Sequence, residues 1–300
     1  MTPLSRRTFL AATAAAGALS QERSVPPPPK VQVDPTWVKT PGKTANSRFA
    51  VNVEMWFRKL PFLDRIRASA DLGFDAIEFW GLGGKDLEAI AKLCEELKVE
   101  VAQFTAWGFV PGLNDPKNHE AFLGAVHAAT QAAKVLRARK ATVVGGNDQP
   151  GMSQEQMISN ITVGLQLAAP IAEAANLMLI LEPMNVRVDH FGHCLHGSAD
   201  ALKICRAVDS PMVKINWDLY HMQISEGDLC GHLRDGIDQV GYLQLADHPG
   251  RNEPGTGEVS YARVLHTAQA LGYKDIIGLE CYPQNSEAQA AQRVHQADLW

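Results

Sequence analysis

Residues 177–182 read Leu177-Met178-Leu179-Ile180-Leu181-Glu182, and Pro183 follows at once. An apolar run of this length, closed by a single carboxylate and a proline, reads as a buried strand with a polar tip. Before it, 154–175 carries apolar residues at helical spacing. After it, 198–208 repeats that period. A strand framed by helices on both sides is the repeating unit of a parallel α/β sheet.

The same alternation extends in both directions. Strand-like runs are predicted at 49–54, 75–80, 99–105, 140–145, 177–182, 213–218, 240–245 and 276–281. Helical stretches are predicted at 62–72, 85–97, 119–138, 154–175, 198–208, 228–239, 260–271 and 286–299. Leu72-Gly73 and Leu271-Gly272 supply helix-stop signals. Eight strand–helix units in one chain predict a closed (β/α)8 TIM barrel, a single α/β domain spanning 48–300. A doubly wound open sheet would place a glycine-rich phosphate turn after its first strand, and none stands there.

The chain has 300 residues, 46% hydrophobic and 20% charged, with a net charge of −5. That mildly acidic balance gives no reason to expect a nucleic-acid partner, which usually meets a basic face. No apolar run approaches a membrane span. Five widely spaced cysteines without a CxxC pair read as small buried residues, not as a disulfide framework or a zinc site. Nothing in the pattern opposes a homo-oligomer.

The N-terminus reads as an address. Ser5-Arg6-Arg7-Thr8-Phe9-Leu10 precedes an uncharged, alanine-rich stretch and small residues near Ser20. This resembles a bacterial twin-arginine signal over 1–20, which implies export to the periplasm or beyond. Residues 21–47, with Pro26 to Pro29 at their centre, are predicted to form a linker or surface strap.

Barrel enzymes keep their chemistry at the C-terminal strand ends. The last four predicted strands end with Glu182, Asp218, Gln244 and Glu280, spaced 36, 26 and 36 residues apart. Four adjacent strands would aim these side chains at one point. Three carboxylates brought together oppose one another's ionisation, and a divalent cation removes that cost. Oxygen-only ligation predicts a hard ion, Mg2+ or Mn2+. Glu78, at the end of the second strand, reads as an ordinary structural carboxylate. His221 lies three residues past Asp218, within reach of the same mouth. Arg251, alone among acids in the glycine-rich stretch 247–258, suits a carboxylate or hydroxyl clamp.

These segments carry a resemblance. Leu181-Glu182-Pro183-Met184-Asn185, Trp217-Asp218-Leu219-Tyr220-His221-Met222-Gln223, Leu243-Gln244-Leu245-Ala246-Asp247 and Asn252 to Glu258 resemble the hydroxypyruvate isomerases. Those are xylose isomerase-like barrels, as are keto-sugar 3-epimerases and endonuclease IV. The resemblance implies a divalent metal held by Glu182, Asp218, Gln244 and Glu280. It implies acid–base roles for Glu182 and Glu280, and substrate contacts for His221 and Arg251. Its implied reaction converts hydroxypyruvate to tartronate semialdehyde. Two departures stand out. The family's His-Asn pair at the third strand is replaced by Gln103-Phe104-Thr105-Ala106-Trp107. The loop with Arg187, Asp189, His190, His193 and His196 is also unlike the family. The alternatives are an exported keto-sugar 3-epimerase or sugar isomerase, a nuclease, and a non-catalytic sugar-binding barrel. Endonuclease IV uses a histidine-rich metal cluster that these strand ends lack.

Overall fold

A computed structural model describes residues 37–300. The twin-arginine reading, and the linker up to residue 36, lie outside the described residues. The strands are β1 (Arg48–Asn52), β2 (Ala76–Gly81), β3 (Glu100–Trp107), β4 (Lys140–Val144), β5 (Met178–Glu182), β6 (Val213–Asp218), β7 (Val240–Leu245) and β8 (Ile276–Leu279). They close into a barrel in chain order, every neighbouring pair parallel. Arg48 to Val51 of β1 pair with Ile276 to Leu279 of β8, which leaves no free edge.

The outer ring holds α1 (Phe62–Asp71), α2 (Leu87–Leu97), α3 (His119–Leu136), α4 (Gln154–Ala175), α5 (Ser198–Val208), α6 (Leu219–Ser225), α7 (Leu229–Gly236), α8 (Tyr261–Ala270) and α9 (Glu287–Ala297). Local chemistry explains their ends. Ser153 and Gln156 form a reciprocal capping box at the start of α4, and Asp86 caps α2. Lys98, Arg137, Asn176 and Asp209 end helices in the left-handed conformation. The sequence reading missed α6. It follows β6 with no loop between them, because Asp218 is both the last strand residue and the helix cap. Its Oδ1 accepts from the backbone N–H of Tyr220 and His221.

Alternation along the strands stacks the barrel interior. The lower part is apolar: Ala50, Ala76, Ala102, Ile180, Tyr242 and Ile276 pack together. Two residues further along their strands lie Asn52, Glu78 and Gly278, and two further again Trp80 and Glu280. Glu182 stands two beyond Ile180. A second, larger apolar cluster fills the space between strands and helices. Residues 37–47 form an irregular strap against the C-terminal helix. There Gln292 exchanges two hydrogen bonds with the backbone of Val38, and Asp298 accepts from the backbone of Asn46 and Ser47. The five cysteines are free, and all but Cys230 are buried. Among the described residues, no helix is long and apolar enough to cross a membrane.

Candidate active site

Three carboxylates meet where three strands end. Glu182 closes β5, Asp218 closes β6, and Glu280 follows β8, all buried. His221, on the first turn of α6, joins them. One ligand atom from each of the four lies within 4.8 Å of all the others. Arg251 enters from the loop after β7. Its Nη2 donates to Glu280 Oε2 at 2.6 Å and stands 3.6 Å from Asp218 Oδ2. Trp80 Nε1 donates to Glu280 Oε1 at 2.7 Å.

The charge of this group does not balance. Three carboxylates face one guanidinium, which leaves two negative charges uncompensated when all are ionised. Burial is the largest cause that pushes Asp218 up to about 8, with Glu280 adding to it. Glu182 is raised well above the usual carboxylate range, first by burial, then by Glu280 and Asp218. Glu182 Oε1 and Asp218 Oδ2 are buried without a hydrogen-bond partner. Two orphaned carboxylate oxygens in a cluster short of two positive charges fit a hard divalent cation.

Neighbouring bonds determine the tautomer of His221. Asn185 Oδ1 accepts from the backbone N–H of Val188 and Asp189, so its Nδ2 is the donor end. That Nδ2 lies 2.7 Å from His221 Nδ1, which therefore accepts. Burial, followed by the nearby Arg251, lowers the affinity of His221 for a second proton far below its usual range. The neutral ring then carries its proton on Nε2, 3.5 Å from Asp218 Oδ2 and 3.9 Å from Glu182 Oε1. His221 offers the site a donor, not a lone pair, although it stands at ligand distance.

Gln244 reaches elsewhere. Its Nε2 donates to Glu78 Oε1 at 2.9 Å, and its Oε1 accepts from Asn216 Nδ2 at 2.6 Å. Both partners sit deeper in the barrel than Asp218 and Trp80. Glu78 is neither at the surface nor salt-bridged. It accepts from Asn52, Gln103, Tyr242 and Gln244. Burial, with Glu280 nearby, raises it to about 7. Gly278 makes the room, since a Cβ there would overlap Glu78 and Gln244. So the structure brings Glu182, Asp218, Glu280, His221 and Arg251 together. It engages Gln244 in the layer beneath.

Two residues of the site carried no assigned role in the sequence. Trp80 lies two positions past Glu78, so period two puts both inside the barrel, a signal that was readable. Asn185 acts through a loop bond that spacing does not reveal. The loop after β7 is itself held rigid. Asp247 accepts from the backbone N–H of His248, Gly255, Thr256 and Val259. Glu253 pairs with buried Arg293 of α9 at 2.9 Å. These bonds hold Arg251 at φ +53°, its guanidinium 5.1 Å from the centre of the Tyr220 ring. In the histidine-rich loop, the His190 ring stacks on Phe109 at 5.0 Å and meets His221 edge-on at 5.2 Å. A cavity of about 610 Å³ opens above the cluster, with Glu182, Glu280, His221 and Arg251 in its wall.

Residues 66–297 match the family described as xylose isomerase-like TIM barrel. The chain belongs to that family. Hydroxypyruvate isomerase of Escherichia coli (strain K12) is 32% identical to this xylose isomerase-like barrel over 245 residues, covering 80% of this chain and 95% of the relative. The 2-oxo-tetronate isomerase of Cupriavidus necator is 30% identical over 246 residues, 79% of this chain and 93% of its own. These relatives place the protein among the isomerase enzymes of the superfamily. A crystal structure titled AP endonuclease, family 2, from Brucella melitensis superposes with a TM-score of 0.76 at 25% identity, covering 81% of this chain and 96% of that one.

Proposed function

We propose that this barrel is a divalent-metal-dependent isomerase of hydroxy-carbonyl compounds that moves a proton between adjacent carbons. The hydroxypyruvate isomerase and 2-oxo-tetronate isomerase relatives support the isomerase reading. Glu182, Asp218 and Glu280 would hold the ion, Mg2+ or Mn2+, with Gln244 available only if it leaves Glu78 and Asn216. When bound, the ion supplies Lewis acidity toward substrate oxygens.

The observation that carries the reading is the buried Glu182 carboxylate in the cavity wall, its Oε1 unpartnered: one of its oxygens suits the ion, and the other is left for the substrate. A carboxylate so placed suits proton abstraction from a carbon acid. The C–H electron pair becomes the new C=C bond, and the carbonyl pair moves onto oxygen. The Nε2–H of His221 and the Arg251 guanidinium face the same space and suit the charge that grows there. The proton returns to the former carbonyl carbon, the hydroxyl proton passes to the former carbonyl oxygen, and the carbon that bore the hydroxyl becomes the new carbonyl, which completes the isomerisation. Glu280, its two oxygens held by Trp80 and Arg251, is the second acid–base group. The test is to incubate hydroxypyruvate and related hydroxy-ketones in D2O with Mn2+ or Mg2+. Deuterium should enter the carbon beside the carbonyl. Its absence with every compound would refute the reading.

A keto-sugar 3-epimerase is the second reading, favoured by both Glu182 and Glu280 lining the cavity. Inversion at carbon without transfer to its neighbour would select it. The nuclease reading finds one histidine, not several, among the three carboxylates. Export rests on Arg6-Arg7 and the uncharged stretch behind them. Replacing both arginines by lysine should keep the protein in the cytoplasm, as fractionation would show.

A further inference from the structure

We infer that the substrate carries an apolar, ring-sized group beyond its reacting carbonyl–hydroxyl pair. This inference rests on the isomerase reading and refines its substrate class. The cavity of about 610 Å³ lies in the middle of the ~300–1,000 Å³ range of sites that enclose drug-sized ligands. A three-carbon hydroxy-keto acid occupies only the end beside Glu182, His221, Arg251 and Glu280.

The rest of the cavity is of opposite character. Trp80, Leu82, Trp107, Phe109, Val144 and Met184 line it. The wall behind them is Ala125, Ala128 and Ala129 of α3, where small side chains leave the space open. Of the polar residues that reach this lobe, Thr142 already donates to Gln103 Oε1 and the His190 ring is stacked on Phe109, which leaves Thr105. A second sugar ring would bury hydroxyls with few side-chain partners, which is costly. An aryl or alkyl substituent incurs no such cost and gains from leaving water. Val110 is 82% and Phe191 is 75% exposed, each next in sequence to a cavity-wall ring, Phe109 and His190. The strand that departs from the family's His-Asn pair supplies this wall through Trp107.

The test compares hydroxymethyl ketones that share one reacting unit: hydroxyacetone, hydroxypyruvate and hydroxymethyl phenethyl ketone. The reaction needs no oxidant or co-reactant. A proton leaves the hydroxymethyl carbon, and a deuteron from solvent replaces it or enters the neighbouring carbon. With Mn2+ in D2O, kcat/KM for exchange should be at least about 10-fold higher for the phenethyl compound than for hydroxyacetone. Ala125→Phe, which fills the lobe, should cut that ratio by about 10-fold. Exchange on the small compounds equal to or faster than on the phenethyl one overturns the inference while leaving the isomerase reading intact. If no compound exchanges, the isomerase chemistry fails, and calorimetric binding to the Mn2+-loaded protein decides the lobe. Phenethyl ketone binding at least about 10-fold tighter than hydroxyacetone upholds it, and equal or undetectable binding overturns it.

Discussion

Two layers of one barrel treat the same functional group in opposite ways. In the lower layer, Glu78 accepts hydrogen bonds from four neutral side chains, and both its oxygens are used. In the upper layer, Glu182 and Asp218 each keep one oxygen buried with no partner. A closed network occupies both oxygens with fixed donors, which offset part of the burial that raises Glu78, and leaves neither oxygen unpartnered for a ligand. An open cluster stores an unmet demand for positive charge and donors, which is the electrostatic condition for binding an ion and a substrate. The contrast also explains why Gln244, facing both layers, bonds downward. Glu78 and Asn216 offer it a complete set of partners.

The largest expected effect falls on the open layer. Glu182→Gln should lower turnover by about 10²–10⁴-fold, because a proton acceptor is lost. It should leave the urea midpoint unchanged or higher, since one uncompensated buried carboxylate disappears. A large loss of stability would break the comparison. In the closed layer the reverse is expected. Glu78→Ala leaves Asn52, Gln103, Tyr242 and Gln244 short of an acceptor, and urea unfolding should show about 3 kcal/mol of destabilisation.

Acidity probes the open layer in another way. Asp218, raised from 3.8 to about 8, keeps in the folded chain a proton that the unfolded chain releases. Its contribution to stability is full below pH 3.8 and is lost as pH rises toward 8. The melting temperature of metal-free protein should therefore fall as pH is raised through that window. Metal affinity runs the other way, because ligands must be deprotonated. Mn2+ binding measured by calorimetry should strengthen up to about 100-fold between pH 6 and 8. A flat profile would show that the cluster is already ionised.

Smaller effects probe the supports. Asn185→Asp replaces the donor opposite His221 Nδ1 with an acceptor, which should move the ring proton to Nδ1. Turnover should fall by about 10-fold, stability should fall as well because Asp189 Oδ2 accepts from Asn185 Nδ2 at 2.7 Å and would face a carboxylate, and 15N NMR of His221 should report the new tautomer. Ser153→Ala, far from both layers, removes the α4 cap and should cost about 1 kcal/mol with unchanged activity. An activity loss there would mean the helical ring and the site are coupled.

Much of this architecture is written locally. The eight runs and the helices between them follow from periods of two and of about 3.6 residues, which each segment carries on its own. Glu182, Asp218 and Glu280 are legible in the chain itself, because a carboxylate that closes an apolar run falls at a strand end. The short helix α6 escaped notice because its cap is the same carboxylate that faces the cluster. Glu78 was undervalued because a glutamate's partners are set by neighbours distant in sequence, such as Tyr242 and Gln244.

By itself, then, the sequence determined the alternation, the direction of the strands and the residues at their tips. Only closure of the barrel decided which tips would be neutralised, which would stay unpartnered, and which way Gln244, His221 and Arg251 would turn. The physical reason is range. Propensity and periodicity act over a few residues, whereas hydrogen-bond satisfaction and buried charge are settled among groups that the closed sheet brings together from far along the chain.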